Sequence, residues 1–117
     1  MPVTDNAEPA PRPPGRGPLA GLRVIELGHF VAAPFCTRLL GDLGADVIKV
    51  EPPGAGDPVR QWGARYKGDS AWWSVHGRNK RRVTLDLKKP RARELALGLA
   101  ARCDALVLRP GIVPHIQ

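Results

Sequence analysis

The chain has 117 residues, a formal net charge of +7 and a hydrophobic share of 43%. That suits one small domain with a core, and argues against general disorder. No apolar run approaches the roughly 20 residues that cross a bilayer, no charged-then-apolar start marks a secretory signal, and two cysteines, Cys36 and Cys103, are too few for a disulfide framework or a zinc finger.

Residues 1–18 carry Pro2, Pro9, Pro11, Pro13, Pro14 and Pro18. Proline removes backbone donors and fixes φ, so this segment reads as a disordered or polyproline-like tail, with order beginning near Leu19. Residues 22–27 (LRVIEL) are short, apolar and partly β-branched, and predict a buried first strand ending at Gly28. A helix follows, with Pro34 in its first turn, where the missing N–H costs nothing. Val31, Phe35, Leu39 and Leu43 recur every four residues and predict its buried stripe. Gly44 suits a left-handed C-terminal cap. Residues 45–50 (ADVIKV) make a second strand, stopped by Pro52 and Pro53. Strand, helix, strand with short joints is a βαβ unit with parallel strands.

Residues 52–80 are rich in Gly, Pro and charge and read as a long excursion, of the kind that binds something or packs on a partner. Residues 83–87 (VTLDL) alternate apolar and polar and predict a third strand. Pro90 opens a second helix, with Leu95 and Leu99 on its inner face and Ala92, Ala96 and Ala100 as a small-residue row. Cys103 reads as a small core residue. Residues 105–108 (ALVL) are a fourth strand. The fold class is α/β, a Rossmann-like partial parallel sheet. Two helices cannot cover both of its faces, so an incomplete domain with exposed, pairing-prone sheet edges is expected.

The positive charge is local: residues 60–93 hold eleven basic residues against Asp69 and Asp86. Such a cluster attracts phosphates of any kind. Trp62, Tyr66, Trp72 and Trp73 interleave with it, but no helix-turn-helix, zinc-finger or RNP pattern accompanies them, so nucleic acid is not expected as a partner. Asn79, Lys80, Arg81 and Arg82 are candidate phosphate partners, set against a plain solvated edge.

The turn GHFVAAP (residues 28–34) sits at the carboxyl end of a strand, where α/β sheets bind ligands. The N–H groups of Val31, Ala32 and Ala33 at the helix start suit a polar group there. The turn is not GxGxxG, so the dinucleotide fingerprint is absent. His29 has no neighbouring Ser or Asp to complete a nucleophile–base pair and reads as a histidine bonded to local backbone. His76 and His115 are isolated, and no spacing suggests a metal site. Gly54, Ala55, Gly56, Asp57 and Pro58 read as turn chemistry.

Taken in order, PLAGLRVIELG, AAPFCTRLLGDLGADVIKVEPPGAGDPVRQWG and NKRRVTLDLKKPRARELALGLAARCDALV resemble the N-terminal end of the class III CoA-transferases. Formyl-CoA, carnitine and bile-acid CoA-transferases belong to this family, and α-methylacyl-CoA racemase is a relative. The resemblance runs from Pro18 to Val107. It implies the Rossmann-like large domain of that family, here as an incomplete domain over residues 19–117. It also implies coenzyme A or an acyl-CoA thioester as substrate, a carboxylic acid as second substrate, and no covalently held cofactor. Members work by covalent catalysis, an aspartate attacking the thioester, and form interlocked homodimers.

By position, the resemblance implies coenzyme A contacts at Val31 and Ala32 in the turn after the first strand. It implies others at Leu85, Asp86, Leu87 and Lys88 along the third. A glutamine of the family matches Val31, so only the backbone contact carries over there. An arginine of some members falls at Pro52. The family's nucleophilic aspartate matches none of Asp42, Asp46, Asp57, Asp69, Asp86 or Asp104. The acidic-Asn-Phe step before Arg109, Pro110 and Gly111 is shortened. The expectation is therefore a truncated polypeptide of the cytoplasm with no catalytic residue of its own and no turnover alone. A racemase-type fragment, abstracting a proton α to the thioester, is the first alternative. A non-catalytic CoA-binding or partner module is the second.

Overall fold

The computed structural model describes residues 16–112. The Pro-rich tail therefore falls almost wholly, and His115 wholly, outside the described residues. In chain order the elements are β1 (Arg23–Leu27), α1 (Ala32–Asp42), β2 (Asp46–Glu51), a 3₁₀ turn (Pro58–Gln61), β3 (Arg65–Tyr66), β4 (Asp69–Ser70), α2 (Ala71–His76), β5 (Lys80–Thr84), α3 (Pro90–Ala101), β6 (Ala105–Leu108) and a second 3₁₀ turn (Pro110–Ile112).

The four-stranded sheet has the order β5-β2-β1-β6, and every pair in it is parallel. Val24 lies opposite Val47 on one side and Ala105 on the other, and Val50 lies opposite Val83. The chain steps outward from β1 through β2 to β5, then returns to the far side of β1 as β6. The order thus reverses between β1 and β6, and in open parallel sheets the crevice at the carboxyl ends beside such a reversal is the ligand position.

Strand alternation splits the core in two. Ile25, Leu27 and Val50 pack with Val83, Leu85, Leu99, Ala100 and Cys103 on the α3 side. Val24, Ala45 and Val47 pack with Leu19, Leu22 and Leu40 on the other. Pro90 stands in the first turn of α3 as expected. Its buried positions are the small residues Ala92 and Ala96, and Leu99 and Ala100 near its end pack on the core of the sheet.

Three expectations need correction. The predicted stripe of α1 faces out: Phe35, Leu39 and Leu43 are 44%, 44% and 46% exposed. The buried face is Ala33, Pro34, Thr37 and Gly41. Small side chains let α1 approach the sheet, and Gly41 has the Val47 side chain and Asn79 as its near neighbours. Second, the third long strand is residues 80–84, not 83–87. Pairing with β2 runs out at Glu51 opposite Thr84, and residues 86–89 close a turn in which the Asp86 carbonyl accepts from Lys89 N–H at 2.9 Å. The alternation in VTLDL misleads because the strand's first half is basic. Third, the excursion over residues 52–80 is structured. The Asp57 carboxylate accepts from Val59 N–H at the start of the 3₁₀ turn, and Ser70 Oγ accepts from Trp73 N–H to cap α2. A third helix therefore joins the two expected, and it packs beside α1.

Candidate functional site

A cleft opens at the carboxyl edge of the sheet. Its walls are Leu27 at the end of β1 and His29 after it, Val50, Glu51 and Pro52 at the end of β2, Leu85, Asp86, Leu87 and Lys88 after β5, and Arg109 and Gly111 after β6. Its volume of about 180 Å³ is below the roughly 300–1,000 Å³ of a site that encloses a whole ligand. It is sized for one ring or one short arm of a larger molecule.

The four residues expected along the third strand, Leu85, Asp86, Leu87 and Lys88, follow β5 instead and line this cleft together. Val31 and Ala32 are not among the walls; they form the exposed first turn of α1. Val31 caps that helix without a side-chain hydrogen bond, so its first-turn amides are left to solvent or a ligand. Gly28 is required where β1 meets α1, since a Cβ there would collide with the Ala33 side chain.

The polar groups of the cleft differ in availability. The Glu51 carboxylate is taken: Arg60 grips it at 2.8 and 2.7 Å and Asp57 N–H donates to it at 3.0 Å. Burial alone would raise its pKa, but the Arg60 guanidinium and that amide outweigh burial and hold it below the usual carboxylate range. The His29 imidazole is pushed below its ordinary value, chiefly by burial, with Asp57 opposing and the Lys49 and Arg109 charges assisting. Its Nδ1 is buried with no hydrogen-bond partner, so the expected bond to local backbone is not made there. A neutral imidazole, the cations Lys88 and Arg109, and apolar walls suit a ring or chain that carries phosphate or carboxylate.

Behind the turn lies a buried charge cluster. Glu26, Lys49, Asp57 and Thr37 are each 1% exposed or less. Lys49 Nζ donates to the Glu26 carboxylate and to the Gly28 carbonyl, the latter at 3.0 Å, and forms an ion pair with Asp57 Oδ2 at 2.8 Å. Lys80 Nζ donates to Glu26 Oε1 at 2.7 Å and to the Pro34 carbonyl at 2.9 Å. Thr37 Oγ1 donates to Glu26 Oε1 at 2.5 Å. Asp57 Oδ1 accepts from Phe30 N–H at 3.1 Å and Val59 N–H at 3.0 Å. Burial would raise the Asp57 pKa, yet the Lys49 ammonium and these N–H donors hold it below the ordinary value. Burial lowers the pKa of Lys80, against the pull of Glu26. Two carboxylates meet two ammonium groups, so the cluster is neutral as a whole, which its burial demands.

Part of the basic stretch is paired within the fold, although most of its side chains stay exposed. Arg81 pairs with Asp46 at 2.7 Å, Arg78 with Asp42 at 2.5 Å, and Asn79 donates to Asp42. The Arg60 and Arg82 guanidinium carbons lie 3.6 and 5.5 Å from the Trp73 ring. Of the four candidate phosphate partners, Asn79, Lys80 and Arg81 are engaged by carboxylates and Arg82 lies over the Trp73 ring; Lys88, outside that group, stands at the cleft. The aromatic rings contact one another in a row, Phe30 tilted against Trp62, Trp62 edge-on to Trp72 and Trp72 stacked on His76.

Sequence reasoning missed Asp57, Arg109 and the charged cluster. One signal was present: Glu26 in LRVIEL and Lys49 in ADVIKV stand at matching positions of adjacent parallel strands. Among the described residues no group of three or more His, Cys, Asp and Glu is placed to hold a metal ion, and no helix is long and apolar enough to cross a membrane.

Known proteins resemble this chain in sequence and in fold. A profile described as CoA-transferase family III matches residues 19–112. A succinyl-CoA–D-citramalate CoA-transferase of Chloroflexus aurantiacus is 52% identical over 103 residues, which cover 86% of this chain and 25% of that protein. The beta subunit of a succinyl-CoA–L-malate CoA-transferase from the same organism is 47% identical, over 80% of this chain and 24% of its own. A crystal structure of a CAIB/BAIF family protein from Brucella suis superposes with a TM-score of 0.75 at 37% identity, covering 85% of this chain and 28% of that one. The chain thus spans about a quarter of the length of the relatives it matches. Matching words, parallel sheet and profile agree, and the chain belongs to CoA-transferase family III.

Proposed function

We propose that the chain supplies part of a coenzyme A site to the transfer of coenzyme A between an acyl-CoA and a carboxylic acid. The observation that carries this reading is the cleft itself, in which Leu85, Asp86, Leu87 and Lys88 meet His29 and Arg109. Leu27, Val50 and Leu87 offer an apolar slot for a ring or an alkyl arm. Lys88 and Arg109 offer cations to phosphate, and the first-turn amides at Val31 and Ala32 offer donors nearby. The small volume means that one part of coenzyme A enters and the rest lies across the surface.

No residue of this chain is assigned as the nucleophile, and the 117 residues alone are expected to give no turnover. Residues 19–117 are read as the N-terminal part of the family's domain. Cys36 and Cys103 are free thiols, which suits the cytoplasm. Titration of the purified protein with coenzyme A at several salt concentrations tests the site. Saturable binding that survives salt and weakens in Lys88→Ala or Arg109→Ala supports it. Binding that salt erases for any polyanion alike reduces the cleft to a basic surface. Thioester exchange by the 117 residues at rates typical of enzymes, on the order of 1 per second or faster, overturns the assignment of no nucleophile.

A further inference from the structure

We propose that the Lys49–Asp57 ion pair is a positioning clamp for His29, and that Asp57 holds Phe30 in a backbone conformation it would otherwise leave. The inference rests on the reading of the cleft as a coenzyme A site.

The clamp closes on both sides of one residue. Lys49 Nζ donates to the carbonyl of Gly28, at 3.0 Å, and Asp57 Oδ1 accepts from the N–H of Phe30, at 3.1 Å. His29 lies between them in the chain and lines the cleft. The two clamping groups are themselves paired at 2.8 Å, with the Asp57 and Lys49 side chains 0% and 1% exposed. Asp57 also reaches the opposite wall, since its N–H donates to Glu51 Oε1. One residue therefore joins the end of β2, the 3₁₀ turn and the turn after β1.

Ordinary turn chemistry explains only part of this. An Asx-type turn accounts for the bond from Val59 N–H, two residues on. It does not account for the bond to Phe30, 27 residues away. Phe30 has φ of 65°, a left-handed conformation that bulky L-residues seldom adopt. Such backbone persists where the surroundings over-determine it. The Trp62 ring, 4.9 Å from that of Phe30, holds the side chain; Asp57 holds the backbone. Released from Asp57, residue 30 returns to negative φ and carries His29 out of the cleft wall.

Coenzyme A affinity of the 117-residue protein and amide hydrogen exchange are read on Asp57→Ala, Phe30→Gly and the double variant. Asp57→Ala is expected to weaken coenzyme A binding about tenfold, with fast exchange at Phe30 and continued protection of Ile25 and Val47. Glycine takes positive φ at no steric cost, so the double variant is expected to recover affinity to within about threefold of the parent. Should Asp57→Ala fail to fold, Lys49→Met/Asp57→Ala removes both charges together and makes the same predictions. A folded variant lacking Asp57 with slow exchange at Phe30 and unchanged affinity overturns the clamp. So does a double variant that binds no better than Asp57→Ala. If the parent protein does not bind coenzyme A, the site reading fails, and exchange at Phe30 together with the His29 ring resonances decides the clamp alone.

Discussion

The two faces of the sheet are built from opposite materials at neighbouring positions of the same strands. Toward α3, Ile25, Leu27 and Val50 form an apolar layer. Toward α1, Glu26 and Lys49 alternate with Val24 and Val47 and carry Lys80, Thr37 and Asp57 with them. Each face delivers one wall of the cleft, the first through Leu27 and Leu85, the second through the turn that contains His29. An apolar layer loses stability by degrees as methylenes are removed. A buried charge cluster loses it in one step, because each partner removed strands another charge away from water. The difference teaches that the polar face defines the turn's geometry while the apolar face tolerates change.

The largest expected effect breaks the polar face. Glu26 accepts from Lys49, Lys80 and Thr37 at once, so Glu26→Ala leaves two buried ammonium groups without their main partner. Removing one partner of a buried pair costs about 3–5 kcal/mol, which reaches the lower end of the roughly 5–15 kcal/mol that holds a small domain folded. Urea unfolding followed by circular dichroism should show loss of the cooperative transition or a midpoint near zero denaturant. A midpoint close to the parent's would mean that the cluster is not the keystone of this face.

Acid probes the same face without mutation. Asp57 and Glu51 are held below their ordinary values of 3.8 and 4.5. In that range the unfolded chain binds protons before the folded one does. Their contribution is therefore complete above those ordinary values and is lost as pH falls through the lower folded values. His29 and His76 are lowered from 6.5, so the unfolded chain also takes up their protons first. Stability should begin to decline as pH drops below about 6.5 and fall faster below the carboxylate values. Midpoints measured across pH check the slope. A flat profile between neutrality and pH about 5 would remove the histidines from the balance, and a protein most stable in acid would reverse the sign for all four groups.

On the apolar face, Ile25→Val removes one methylene from a fully buried side chain. It should cost about 0.5–1.5 kcal/mol, with the transition still cooperative and coenzyme A affinity unchanged. Equal losses from Ile25→Val and Glu26→Ala would erase the contrast between the faces.

Legibility in the sequence follows the same division. The β1, β2 and β6 strands were readable because apolar runs stop at Gly or Pro, and α3 because Pro90 opens it. The strand β5 was not, since Lys80 and Arg81 look like surface residues until Glu26 and Asp46 are placed beside them. The short helix α2 was missed because AWWSVH lies among glycines and charges too short to show a period. Leu85, Asp86, Leu87 and Lys88, which line the cleft, are the residues to which the family's words pointed. Asp57 was hidden because its partners, Phe30 and Lys49, are distant in the chain, and Arg109 because it meets His29 only once β6 lies beside β1.

The smallest expected effect concerns the stripe that periodicity assigned to the core. Leu39 and Leu43 are 44% and 46% exposed, and the helix is seated instead by Ala33, Thr37 and Gly41. Thr37 has to face inward because its hydroxyl donates to Glu26, and residues four apart share a helix face, which brings Ala33 and Gly41 inward with it. The large side chains one position or two away are then turned to solvent. Leu39→Lys should accordingly change stability by no more than about 0.5 kcal/mol while lowering self-association in light scattering, since it removes exposed apolar area. A loss of several kcal/mol, the amount of a buried leucine, would return the stripe to the core and with it the orientation of Thr37 toward the charged cluster.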